Sequence, residues 1–196
     1  AELTKLRQIC CDPRLHYEDY KAGSAKLDTC MELVHGALDG GHRILLFSQF
    51  TGMLDIIGKR LTKEDIAFLK LTGASSKESR AKMVAQFQAG EVPVFLISLK
   101  AGGVGLNLTA ADVVIHYDPW WNVAAQDQAT DRAHRIGQQH TVTVYKLIAK
   151  DTIEERIMQM QESKRDLVNS VLGGDGISSA LFAREDVLAL LGGDGR

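Results

Sequence analysis

Three short segments carry residue types that bind phosphate groups or nucleic acid. The first runs from Ser98 to Leu108 and holds Gly102, Gly103 and Gly105 directly after an apolar run. Glycines let a backbone turn tightly and approach a ligand, and amide N–H groups exposed there hold anionic oxygens. The segment predicts a phosphate-contacting loop, and a plain tight turn is the competing interpretation.

The second segment spans residues 123–135, where helical spacing predicts that Gln128, Arg132 and Arg135 share one face. Guanidinium groups pair bidentately with phosphate oxygens, so this face suits a triphosphate. The alternative is a solvated charged face on which Asp131 pairs with Arg135. Small residues on another flank are expected to pack closely on a sheet: Ala125, Ala129 and Ala133.

The third segment is Asp118-Pro-Trp-Trp-Asn122. Two adjacent tryptophans in a loop cannot both enter one core, so we expect one of them to anchor the core. The other is expected to meet a surface, where tryptophan stacks on the sugars and bases of nucleic acid.

A complete nucleotide site is not predicted. The nearest approach to a P-loop runs from Gly52 to Gly58-Lys59. It has one residue too many between the glycines, lacks Ser or Thr after the lysine, and lies in a helical pattern. No Asp-Glu pair ends a strand to hold magnesium. Three cysteines without paired spacing predict free thiols, with no metal site and no disulfide.

Alternating strands and helices are predicted to position these segments. The expected strands are short and apolar on both faces, as buried parallel strands are: Ile44–Ser48, Ala67–Leu71, Val94–Ser98, Val113–Tyr117 and Val142–Ile148. Helical patterns lie near 50–62, 76–89 and 123–135. The order indicates an α/β fold with a mainly parallel sheet covered on both sides.

Two helix starts carry the spacing of a capping box. Ser75 with Glu78 predicts one, and Thr152 with Glu155 predicts the start of a long C-terminal helix. That helix keeps one apolar stripe and is expected to end at glycines 173–174. The first 25 residues look less regular, and a short amphipathic helix is expected near 185–191.

Composition sets the broad class. Hydrophobic residues make up 45% of the 196 residues, 23 Lys and Arg stand against 25 Asp and Glu, and the net charge is −2. This balance argues against a protein that coats polyanions over its whole surface, but it permits a local basic groove. No apolar run suits a bilayer, so no membrane partner is expected. The chain opens on Ala1 without a methionine, and we expect it to be a piece of something longer.

The motifs resemble, nearly end to end, the second helicase-like lobe of Swi/Snf-type ATPases in helicase superfamily two. The resemblance is carried, in order, by 6–13 (LRQICCDP), 24–27 (SAKL), 43–50 (RILLFSQF), 71–73 (LTG), 98–108, 128–135 (QATDRAHR) and 151–156 (DTIEER). It implies a RecA-like three-layer α/β/α fold followed by a bracing helix. The implied boundaries are a linker at 1–24, the lobe at 25–150, the brace at 151–176 and a tail at 177–196.

The resemblance implies an ATP site shared between two lobes. The N-terminal RecA-like lobe would supply the P-loop and hold most of the Mg²⁺. This lobe would supply Arg132 and Arg135 as arginine fingers, a contribution worth roughly 10³–10⁵ in rate. The other ATP-binding positions implied are Gly103, Gly105, Asn107 and Gln128.

The resemblance also implies a grip on double-stranded DNA. The positions that match are Ser48, Gln49, Thr72, Gly73, Lys100, Ala101, Gly102 and Trp121. Two departures stand out: Val123 replaces a frequent proline, and Leu99-Lys100 replaces Thr-Arg. Lysine keeps the positive charge but loses the planar fork of arginine.

The implied function is therefore a motor lobe for ATP-driven DNA translocation or remodelling that is inactive as an ATPase alone. A protein–DNA client complex is an expected partner, and the client itself stays open. The compact spacing favours a prokaryotic, cytoplasmic, nucleoid-associated protein, with the nucleus as the alternative. Two other functions were weighed: a free-standing nucleotide-binding domain on a Rossmann-like sheet, with Asp118 accepting ribose hydroxyls, and an interaction module with vestigial ATP residues.

Overall fold

The fold is built on one five-stranded parallel sheet. The computed structural model describes residues 2–101, 106–120, 123–133 and 141–172, with the backbone alone for 123–125 and 164–172. The strands lie in the order β2-β3-β1-β4-β5. Their bounds are Ile44–Ser48 (β1), Phe68–Leu71 (β2), Val94–Ser98 (β3), Val113–His116 (β4) and Thr143–Lys146 (β5). The predicted parallel α/β sheet is confirmed.

Six α-helices accompany the sheet in the described part of the chain. They are Glu2–Cys11 (α1), Ala25–Asp39 (α2), Thr51–Lys63 (α3), Lys77–Gln88 (α4), Val123–Thr130 (α5) and Ile153–Leu172 (α6), and a 3-10 turn spans Pro13–Leu15. No helix among the described residues is both long enough and apolar enough to cross a bilayer.

Each face of the sheet carries its own hydrophobic core. Ile44 and Leu46 of β1 pack with α2 and α3, whereas Leu45 and Phe47 face α4 and α5. All five residues of β1 and of β3 are buried. These continuous apolar strands are possible because helices cover both faces, which gives the three-layer arrangement.

The two edge strands are shorter and more exposed than predicted. The strands expected at 67–71 and 142–148 reduce to β2 and β5, and three of the four residues of β5 are exposed. An edge strand has a sheet neighbour on one side only, so less of it is covered. The expectation that every strand is buried on both faces was therefore wrong for these two.

The first residues are helical, which contradicts the prediction of a less regular segment. Helix α1 buries Arg7 and Cys11 and packs against α6. The hydroxyl of Tyr117, at the end of β4, donates to the carbonyl of Cys11 over 3.0 Å. Contacts with segments more than 100 residues away thus hold α1 in place. No local sequence pattern predicts these contacts.

The helix caps differ from the predicted capping boxes in detail. Helix α4 is capped by Ser76, whose hydroxyl accepts from the amide of Ser79, and not by Ser75. At α6 the hydroxyl of Thr152 does accept from the amide of Glu154 over 3.2 Å. The Glu155 carboxylate there accepts from Asp151, not from Thr152 as a capping box requires.

The glycines of the near-miss P-loop lie inside helix α3. A Cβ added at Gly58 would lie 3.0 Å from a ring carbon of Phe68 on β2. This glycine therefore allows α3 to pack closely on the sheet, as its helical pattern indicated.

Candidate functional site

The candidate site lies at the carboxyl ends of the strands, where ligands bind in open parallel sheets. The structure places most of the described DNA-binding candidates there, in the segments that end or follow β1, β2 and β3: Ser48, Gln49, Thr72, Gly73, Lys100 and Ala101. The sheet thus brings together residues that are more than 50 positions apart in the chain.

Asp118 joins the segment after β4 to the end of β1. Its carboxylate accepts from the hydroxyl of Ser48 at 2.5 Å and from the amide of Gln49 at 3.3 Å. Both Ser48 and Asp118 are almost fully buried. Burial raises the pKa of Asp118, while the Ser48 hydrogen bond and the charge of Arg7 oppose that rise. The Ser48 side chain, predicted to contact DNA, makes this internal hydrogen bond in the structure.

Thr72 and Gly73 form a tight turn after β2. The amide of Thr72 donates to the Ser75 hydroxyl over 3.2 Å, and the amide of Ser75 donates back to the Thr72 carbonyl over 3.1 Å. Ser75 therefore closes this turn, which explains why it does not cap α4. Gly73 is exposed, and a Cβ there would meet nothing within 4 Å, so a ligand has free access to its backbone.

The segment after β3 is held by an arginine from α4. Nη1 of Arg80 donates to the carbonyl of Ala101 over 3.2 Å. Ala101 itself is 3% exposed, whereas Lys100 is exposed. Lys100 is thus a cation on the surface beside a backbone position that Arg80 holds.

The glycine-loop segment and the arginine segment meet. The amide of Leu108 donates to the carbonyl of Arg132 over 3.2 Å, across 24 positions. Ala129 and Ala133 are buried against the sheet, as their spacing predicted. The two segments that the sequence singled out for phosphate chemistry are therefore adjacent.

The predicted face of Gln128 and Arg132 is not one solvent-facing stripe. Gln128 is exposed, but Arg132 is only 1% exposed. Helix α5 ends at Thr130, and a turn follows in which the amide of Ala133 donates to the Thr130 carbonyl. The hydrogen bonds from the amides of Arg132 and Ala133 span three positions in place of four, so regular α-helical spacing does not extend from Gln128 to Arg132.

Trp120 is the tryptophan that packs inward, against the core cluster facing α4 and α5. This confirms that one of the pair anchors the core. Its partner Trp121 lies outside the described residues, as do four other predicted site residues: Gly102, Gly103, Gly105 and Arg135. Asn107 is described and exposed.

His116 lies under α5 and serves the core. Its Nε2 is 2.9 Å from the hydroxyl of Thr130, and its ring stacks on Phe47. Nδ1 is buried with no hydrogen-bond partner among the described residues. Burial lowers the pKa of His116 to about 4, so the ring is neutral at physiological pH.

Comparison with known proteins shows the family of this chain. The family model described as the helicase conserved C-terminal domain matches residues 25–137. The chain belongs to this family. The solved SWI2/SNF2 ATPase C-terminal domain of Sulfolobus solfataricus is 33% identical and covers 96% of this chain and 78% of its own, with a TM-score of 0.73. The RecA-like fold and the Swi/Snf type expected from the motifs are thereby confirmed.

Two further relatives add context to this helicase C-terminal domain. The S. solfataricus SWI2/SNF2 ATPase core in complex with dsDNA is 39% identical, with a TM-score of 0.72 over 88% of this chain and 37% of that one. An uncharacterized ATP-dependent helicase of Mycoplasma pneumoniae is 43% identical over 189 residues. The match covers 96% of this chain but 18% of the relative, so the chain spans a minor part of that protein.

Three residues of the chain at this edge of the sheet escaped the sequence-based prediction: Arg7, Arg80 and Gln161. Each donates to a backbone carbonyl of a segment at the carboxyl edge, those of Pro119, Ala101 and Trp120 respectively. No spacing in the sequence marked these three polar residues; the fold buries Arg7 and Gln161 and partly buries Arg80. Among the described residues, no cluster of three or more His, Cys, Asp or Glu could hold a metal ion.

Proposed function

We propose that the chain is the second motor lobe of an ATP-driven translocase or remodeller of double-stranded DNA. One observation carries this proposal: the hydrogen bond between Leu108 and Arg132 joins the glycine-loop segment to the arginine segment. The relatives named as an ATP-dependent helicase and as an ATPase core with dsDNA support ATP use and DNA contact.

On the nucleotide side, the proposed ligands from this lobe are the backbone at Gly103 and Gly105, with Asn107 and Gln128 beside them. Asn107 and Gln128 are both exposed, as direct contact with a nucleotide requires. Because Arg132 is 1% exposed, it supplies its charge from inside the lobe, and Arg135 is the candidate for contact across the cleft. A partner lobe would supply the P-loop and hold Mg²⁺.

On the DNA side, the proposed phosphate contacts are the exposed Lys100, the open backbone at Gly73 and the backbone at Gly102. Gln49 lies at the same edge, but its amide already donates to Asp118. Backbone amides and lysine position a protein on DNA without reading its sequence. The buried Ser48 and the amide of Gln49 both donate to the carboxylate of Asp118. Trp121 is proposed to contact a groove of the DNA. The proposed extents are 25–150 for the lobe and 151–176 for the brace.

Hydrolysis tests the proposal on its nucleotide side. The isolated chain is expected to show no ATPase activity, with or without DNA. In the full polypeptide carrying both lobes, Arg135→Ala or Arg132→Ala is expected to lower kcat by roughly 10³-fold or more. Lys63→Ala, at the exposed end of α3, is the control and is expected to retain full turnover. DNA-stimulated turnover by the isolated chain would contradict the proposal that this chain supplies only half of the ATP site.

The salt dependence of DNA binding tests the other side. A phosphate contact contributes about one unit to the slope of log K against log salt. We expect Lys100→Ala to lower that slope by about one for duplex DNA of any sequence, and Lys63→Ala to leave it unchanged. Equal slopes for both variants would remove Lys100 from the DNA interface.

The geometry of Asp118 disfavours a free-standing nucleotide-binding domain. In that alternative, Asp118 would accept hydroxyl groups of a ribose. It is 1% exposed, and its carboxylate already accepts from Ser48 and from the Gln49 amide.

A further inference from the structure

The backbone between Asp118 and Trp121 is held by side chains of three helices. The Pro119 carbonyl accepts from Nη2 of Arg7 on α1 over 2.5 Å. The Trp120 carbonyl accepts from the side-chain amide of Gln161 on α6. The Trp120 amide donates to Oε1 of Gln126 on α5 over 3.3 Å. Two of these three hydrogen bonds, those from Arg7 and Gln161, join residues more than 40 positions apart.

Arg7 also holds the segment after the neighbouring strand. Its Nη1 donates to Oε1 of Gln49 over 3.0 Å, and its guanidinium lies 5.7 Å from the ring centre of Phe50. The side chain is 3% exposed. A buried guanidinium is costly unless its donors are satisfied, and its planar fork lets one arginine serve two acceptors in fixed directions. Arg7 therefore couples the positions of the segments after β1 and β4.

The two carbonyls that precede Trp121 are thus held from opposite ends of the described chain. Arg7 belongs to the helix at its beginning, Gln161 to the helix at its end, and these two helices pack on each other. Losing either hydrogen bond therefore frees the peptide group that it holds.

We propose that Arg7 and Gln161 are positioning residues that fix the backbone of Pro119 and Trp120 and, through Arg7, the side chain of Gln49, at the edge of the sheet proposed to contact DNA. They touch neither DNA nor ATP themselves. Through these two side chains, the packed helices α1 and α6 hold the segment that follows β4. The proposal rests on the proposed function for its DNA step, but the positioning step can be measured without DNA.

Tryptophan fluorescence measures the positioning step directly, because Trp120 and Trp121 are the only tryptophans in the chain. We expect Arg7→Met and Gln161→Leu to increase quenching by acrylamide and to shift the emission to the red. The matched controls are Lys5→Met on α1 and Gln159→Leu on α6, both exposed, and they should leave emission and quenching unchanged. Unchanged quenching in both test variants overturns the proposal.

The functional step needs the full polypeptide. Loss of either positioning contact is expected to raise the DNA concentration for half-maximal ATPase stimulation about tenfold, which corresponds to about 1.4 kcal/mol of DNA-binding free energy. The kcat at saturating DNA should change little. Arg7→Lys, which keeps the charge but loses the fork, should fall between wild type and Arg7→Met. A merely structural role would instead lower the active fraction, and so kcat, without changing the DNA requirement.

The outcomes separate this proposal from the proposed function. Increased quenching with an unchanged DNA requirement shows a held loop that does not serve DNA binding, and it overturns the inference while the Lys100→Ala salt slope still stands. If Arg7→Met does not fold, Gln161→Leu decides the same question, since Gln161 contacts the loop from a different helix.

Discussion

The buried ion pair between Lys26 and Glu154 determines how firmly the C-terminal helix is docked on the lobe. Nζ of Lys26 lies 2.7 and 2.5 Å from the two carboxylate oxygens of Glu154. The Glu154 side chain is fully buried, and that of Lys26 is 8% exposed. The pair joins the first turn of α2 to the first turn of α6, so replacing Lys26 with methionine leaves a buried carboxylate without its counterion.

The structure sets the expected size of this effect. Removing one partner of a buried ion pair costs about 3–5 kcal/mol. Glu154 keeps a hydrogen bond from the amide of Ala149 at 2.9 Å, so we expect the lower end, about 3 kcal/mol. With a urea m-value of about 2 kcal/mol/M, the unfolding midpoint falls by about 1.5 M. Lys26→Met combined with Glu154→Gln should recover at least half of the loss, since the uncompensated charge is gone.

A second lysine supplies a control that differs mainly in burial. Lys70 lies 2.5 Å from Asp55, but their side chains are 40% and 52% exposed. Lys70→Met is expected to cost less than about 1 kcal/mol, because water solvates the remaining carboxylate. Urea unfolding followed by circular dichroism compares the two variants. Equal losses for Lys26→Met and Lys70→Met would refute the argument from burial.

Three further predictions concern single side chains. Arg132→Met should lower the free energy of unfolding of the chain by about 2 kcal/mol, because its side chain is 1% exposed; an unchanged melting temperature would show that its burial adds no stability. His116, with a pKa lowered from 6.5 to about 4, favours its neutral form in the fold. Its contribution is full above pH 6.5 and falls by about 3 kcal/mol as the pH drops to 4. His116→Phe should therefore flatten the pH dependence of unfolding over that window, and an unchanged slope would contradict the burial of His116. Arg80→Met should weaken DNA binding by the full polypeptide about tenfold through loss of its bond to Ala101, whereas Lys82→Met, exposed on the same helix, should not; equal binding by the two variants would argue against a role for Arg80.

The central strands were predictable because they are buried on both faces. Ile44–Ser48 and Val94–Ser98 are continuous apolar runs, and their predicted bounds match the structure. In the two edge strands, an apolar composition does not predict where the strand begins and ends. The strand expected at 142–148 is only four residues long, Thr143–Lys146, although Val142 and Leu147 beside it still pack on the core clusters.

Predictions of individual contacts failed where one side chain had two possible partners. Ser75 has the spacing to cap α4, yet it closes the turn at Thr72, and Ser76 caps the helix instead. Helical spacing placed Arg132 beside Gln128, but a turn after Thr130 sends Arg132 inward. Local propensity allows both arrangements in each case, and packing selects between them.

Residue patterns alone were enough to predict the order of strands and helices, the family, and the segments proposed to contact phosphates, because hydrophobic periodicity and motif spacing are local properties of the chain. The contact of Arg7 with Pro119 across 112 positions could be found only in the folded chain, and so could the contact of Gln161 with Trp120. Such contacts depend on how helices dock on the sheet, and docking is set by the sum of many weak packing interactions. Residue spacing does not predict that sum. The physical reason is the same for Asp118 and Ser48: burial gives their hydrogen bond its importance, and burial is a property of the folded chain.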